Sequence, residues 1–122
     1  MIRDSRQKCA FQWCASVFGA AQAQNMRRRS LRLLEEAVEA YQATGGNQDI
    51  ACRLVRSVFT RPVGALNQEL GGVGLSLLAL AEAAGLSADE EEARELARVL
   101  SKSPNDFAMR DKTKDGDGFS GA

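Results

Sequence analysis

Leu66, Leu70, Val73, Leu77, Leu80 and Ala84 recur at the three- and four-residue spacing of a single helix face, between a Pro62-Val63-Gly64 turn and a stop at Gly85. That stripe predicts a helix over about 65–84, and the rest of the chain repeats the same grammar. Phe11, Cys14, Val17 and Phe18 predict a first helix over about 5–18, with Trp13 off the centre of its apolar side. A permissive stretch over 19–24 leads to a second helix from Asn25, a good N-cap, to Gly45-Gly46, with Leu31, Leu34, Val38 and Tyr41 as its stripe. Asn47 or Asp49 can cap a shorter third helix carrying Ile50, Leu54, Val55 and Val58, which ends before Thr60-Arg61-Pro62. After the stripe above, Ser87 with Glu90 three residues later has the spacing of a capping box and opens a fifth helix to about 102, with Leu96, Val99 and Leu100 inside. No strand-like alternation is present, so the expected fold is all-α, a bundle of four to five helices. Its domain covers 1–102; the segment 103–122, rich in Pro, Asp, Lys, Gly and Ser and poor in aliphatics, is expected to be a disordered tail.

At 122 residues this is one domain at most, and its core is expected to be completed by homo-oligomerisation. The chain has no histidine, which excludes Ser-His-Asp and Cys-His nucleophile systems and imidazole zinc sites. Cys9, Cys14 and Cys52 form no C-x-x-C pair and read as small buried hydrophobes in a reducing, cytoplasmic setting. No apolar run approaches the ~20 residues that cross a bilayer. Net charge is zero but uneven: positions 1–34 hold seven Arg or Lys against Asp4, and positions 35–100 hold eleven acids against five arginines. The Arg27-Arg28-Arg29 cluster is too short, in a neutral chain, to make a nucleic-acid surface the leading expectation.

Glu35, Glu36 and Glu39 place three carboxylates within two helical turns, a repulsive arrangement unless a cation lies among them. Two readings stand. Arg32 pairs with Glu36 at the i, i+4 spacing, giving a solvated, salt-bridged face; or Glu36 and Glu39 converge with Glu69 of a second helix on a hard cation, magnesium or manganese, which carboxylate oxygens suit. The second helix of that pair is unusual, because Gly71, Gly72 and Gly74 interrupt it at a cost of roughly 1 kcal/mol each relative to alanine. Either a neighbouring helix or a ligand needs the space. Glu69, Gly72 and Ser76 fall on one line of it.

Glu36-x-x-Glu39 followed by Glu69-x-x-Gly72 resembles the E-x-x-E and E-x-x-D motifs of MazG-like, all-α nucleoside triphosphate pyrophosphohydrolases. The similarity spans about 11–102 and is most specific in a Phe-Gln-x-x-Trp-like first helix, the Arg61-Pro62-Val63-Gly64 turn and the glycine-rich 68–73 segment. The resemblance implies a homodimer or homotetramer with a four-helix core, and hydrolysis of a nucleoside triphosphate to monophosphate and pyrophosphate. It implies that Glu36, Glu39 and Glu69 hold Mg2+, with Mn2+ as a substitute. Glu35 would orient or deprotonate the attacking water, and Lys102 would offer a cation to phosphate. Trp13 would stack on the base or pack at an oligomer interface. Gly72 stands where the family has aspartate, so one ligand is missing, and a non-catalytic module that binds a nucleotide or protein partner is the competing expectation. Asp111-Lys112-Thr113-Lys114-Asp115-Gly116-Asp117-Gly118 has the start of a calcium loop but lacks the aliphatic eighth and glutamate twelfth positions.

Overall fold

In the computed structural model, which describes residues 1–103 and 105–107, six helices follow one another: α1 (Arg3–Phe18), α2 (Ala20–Ala23), α3 (Met26–Ala43), α4 (Gln48–Phe59), α5 (Leu66–Ala83) and α6 (Ala88–Leu100). Among the described residues there is no strand, which bears out the all-α expectation. The predicted boundaries hold to within a few residues because the punctuation behaves as its chemistry dictates. The Asn25 side chain accepts from Arg28 N–H at 3.1 Å, and that of Asn47 accepts from the N–H groups of Asp49 (2.8 Å) and Ile50 (3.2 Å). Ser87 Oγ accepts from Glu90 N–H at 3.1 Å. Each satisfies amide donors that a helix start leaves without an intrahelical partner. Gly45 (φ 90°) and Gly85 (φ 71°) reverse the chain after α3 and α5 in the left-handed region that side chains disfavour. Within the expected permissive stretch, the residues after Gly19 form the one-turn α2.

The chain divides into two units, Met1–Arg32 with Ser87–Ala122, and Leu33–Leu86. In the first, α1 packs against α2 and α6. Ala23, Val99, Phe107 and the guanidinium-bearing Arg6 are buried here. Cys14, Val17 and Phe18 are half-buried as the α1 stripe requires, whereas Phe11 is exposed. On α6, Val99 is inside, but Leu100, expected beside it, is 60% exposed at the last helical position. The ordered chain continues past 102: residues 105–107 form a helical turn whose Phe107 meets Trp13 edge to face at 5.1 Å between ring centroids. The remainder of the expected tail, including the calcium-loop-like segment 111–118, lies outside the described residues.

The second unit is built differently. Between Leu33 and Leu86 no residue is buried; Glu35, Gly46, Ala51, Gly74 and Ala81 are half-buried and all others are exposed. Its order is local: Tyr41 Oη accepts from Asn47 N–H at 3.2 Å, and the Tyr41 ring fills the space where a side chain at position 46 would sit, which explains Gly46. No two helices of this unit pack along their lengths. The expected four-helix core therefore does not close within one copy of it. The amphipathic stripes are present; what they would pack against is not supplied locally. Among the described residues no single helix is long and apolar enough to cross a membrane.

Candidate functional site

Helical periodicity places Glu36 and Glu39 on one side of α3, three residues apart and both exposed, with Glu35 half-buried next to them. Glu69 lies in the first turn of α5, where the partial positive charge of a helix start favours an acid. Its carboxyl group folds back over the Arg61-Pro62-Val63-Gly64 turn: a β-carbon added at Gly64 would lie 3.2 Å from Glu69 Cδ. The glycine is thus matched to the glutamate that follows it. One helical turn beyond Glu69, Gly72 offers no carboxylate, and nothing lies within 4 Å of where its β-carbon would be.

These groups do not assemble. Among the described residues no group of three or more His, Cys, Asp or Glu is arranged to hold a metal ion. The oxygen donors of Glu36, Glu39 and Glu69 have the right chemistry for magnesium or manganese, but their placement in one chain does not make the site. The expected convergence of the two helices is therefore absent within the chain, because α3 and α5 share no packed face that would aim their carboxylates at a common point.

The two residues expected to touch substrate belong to the first unit. Lys102 is exposed in the turn after α6, where its charge helps lower the Glu95 pKa. Trp13 is half-buried and engaged edge to face by Phe18, at 6.0 Å, as well as by Phe107. These contacts place Trp13 in the first unit's small aromatic cluster with part of its surface still exposed. Arg29 extends the cluster, its guanidinium 5.3 Å from the Phe18 ring centroid and its Nη1 donating to Cys14 Sγ at 3.4 Å. Of the three-arginine run, Arg27 is exposed and Arg28 and Arg29 are half-buried. The cysteines also depart from expectation, since Cys9 and Cys14 are half-buried and Cys52 is exposed.

An ion-pair constellation outside the expected site joins α1 to α6. Arg6, with 8% of its side chain exposed, is gripped by Glu92 through both Nε (3.1 Å) and Nη2, and by Asp89 at 2.9 Å, while Arg3 donates to the second Glu92 oxygen at 2.9 Å. The Glu92 hydrogen bond, together with the charges of Glu92 and Asp89, raises the Arg6 pKa above its already high ordinary value, so the clasp stays charged. A signal was there to find: Arg3 and Arg6 stand three apart on α1, as do Asp89 and Glu92 on α6, so two matched pairs face each other. The arrangement is a helix-to-helix clamp with no reactive group.

Compared with protein-family models, with curated proteins and with solved structures, the chain matches none.

Proposed function

We propose that this chain is a MazG-like nucleoside triphosphate pyrophosphohydrolase, releasing pyrophosphate from a nucleoside triphosphate in a divalent-metal-dependent reaction. The observation that carries the reading is the ordered combination of Glu36-x-x-Glu39 on one side of α3, the Arg61-Pro62-Val63-Gly64 turn, and Glu69 in the first turn of α5 with its carboxyl group seated on that turn. In this reading Glu36, Glu39 and Glu69 are the metal-holding acids and Glu35 serves the attacking water. Lys102 is assigned to phosphate, Trp13 to the base, and a homodimer or homotetramer is the working form. Among the described residues the acids of one chain do not by themselves gather into a metal site.

Purified protein is incubated with a panel of canonical and modified nucleoside triphosphates in magnesium, in manganese and in EDTA, and pyrophosphate is measured. Metal-dependent release that is lost in both Glu36→Gln and Glu69→Gln, with helicity unchanged, supports the reading; undiminished release by both variants refutes it. A second reading, a non-catalytic helical module, is favoured by Gly72 at the aspartate position of the motif. It expects no release under any condition from folded protein.

A further inference from the structure

We propose that the turn after α6 is a tethered competitor for the nucleobase: Phe107 holds part of the Trp13 surface when no nucleotide is bound and gives way when a base stacks there. The inference rests on the pyrophosphohydrolase reading, which assigns Trp13 to the base, and adds to that site a displaceable occupant from the chain itself.

Trp13 has two aromatic neighbours of different kinds. Phe18 belongs to the same helix and is held from its other side by Arg29, whose guanidinium lies 5.3 Å from the Phe18 ring centroid and donates to Cys14 Sγ. That half of the cluster is built from α1 and α3. Phe107 arrives instead from the far end of the described chain, on a turn that is tied together locally: Asp106 N–H donates to the Ser103 carbonyl at 3.1 Å and Asn105 N–H to Ser103 Oγ at 3.3 Å. Residues 101–103, 105 and 106 are exposed, whereas Phe107 is only 8% exposed. The turn is therefore anchored by one buried ring, and releasing that ring disturbs few other contacts.

The contact that anchors it is of the kind a nucleobase makes. Phe107 meets Trp13 at 5.1 Å between centroids and 88° between planes, and an aromatic pair and a base–aromatic stack draw on the same apolar area and ring electrostatics with comparable strength. An intramolecular ring of this kind lowers the apparent affinity of a base by the fraction of molecules in which the site is open. Two further observations favour the base as the incoming group. The Nε of Arg29 is buried without a hydrogen-bond partner; a phenyl ring offers it no acceptor, and a nucleobase carries several. Lys102, assigned to phosphate, stands exposed at the root of the same turn, so the phosphate and the base of one substrate act on a single short segment.

Trp13 is the chain's one tryptophan, so its emission reports on the contact directly. Full-length wild type, Phe107→Leu and Phe107→Ala are titrated with α,β-methylene analogues of the common purine and pyrimidine nucleoside triphosphates in magnesium, and the KM for pyrophosphate release is measured in parallel. Affinity should rise in the order wild type, Phe107→Leu, Phe107→Ala, with Kd and KM about tenfold lower in the last. If Phe107→Ala loses helicity by circular dichroism, Phe107→Leu, which keeps an apolar anchor, decides the matter by the same tightening. Binding that is equal or weaker in both variants means that Phe107 only supports the fold and overturns the proposal. Metal-dependent release with a KM that neither variant lowers overturns the competitor and leaves the pyrophosphohydrolase reading standing; no release and no change in emission from any of the three proteins overturns both.

Discussion

At the scale of single residues, Arg6 is the buried charge among the described residues. Its guanidinium is nearly enclosed, with Nε and Nη2 held by two acids of α6 and Nη1 donating to the Met1 carbonyl, so Glu92→Ala leaves a buried cation with its principal partner gone. That substitution should lower the melting temperature well beyond Glu91→Ala, which only frees the exposed Arg94 pair; circular-dichroism melts of both variants make the comparison. Glu95 behaves differently. The bidentate hydrogen bond from Arg98 (2.6 and 2.8 Å), with smaller contributions from the charges of Arg98, Arg32 and Lys102, holds its pKa below the ordinary value of 4.5. A carboxylate with a depressed folded pKa contributes stability above its unfolded pKa and loses it as pH falls through the folded one. The pair is half exposed, so screening limits the effect to about 0.3–0.5 kcal/mol. Melts below pH 4.5 should therefore show a slightly shallower loss of stability in Arg98→Ala than in the parent.

Elements were the most legible level, and the reason is local chemistry. Asn25, Asn47 and Ser87 cap the helices that their positions announced, because a side-chain oxygen two or three residues ahead of unpaired amides has an obvious use wherever the rest of the chain goes. Asn47→Ala removes two accepted hydrogen bonds and Ser87→Ala one. The first should cost about 1 kcal/mol and the second somewhat less, read from chemical denaturation midpoints. The apolar stripes were legible as periodicity but not as contacts. Periodicity says which side of α5 seeks burial and nothing about what provides it, so it does not decide where Glu36 and Glu39 stand relative to Glu69. Leu100 and Phe107 show the same limit on a smaller scale: an aliphatic in register stays in solvent, while an aromatic beyond the last predicted helix is buried.

At the scale of the whole molecule, the sequence announced five helices in the observed order, without the one-turn α2 or the turn at 105–107, and gave no sign that the buried residues among those described would all fall in one unit. If the Leu33–Leu86 unit is completed by its own copy, folding is bimolecular there, and the melting temperature should rise with protein concentration, by several degrees per hundredfold, in a dilution series of calorimetric or optical melts. A flat response would place that unit's stability within a single chain. A chain with one clasped unit and another unit in which no residue is buried also has a consequence for the cell that makes it. If copies of the chain cover one another's Leu33–Leu86 unit, the chain counts itself: at few copies the unit stays open to proteases and at many it is covered, so abundance reinforces itself without any regulator.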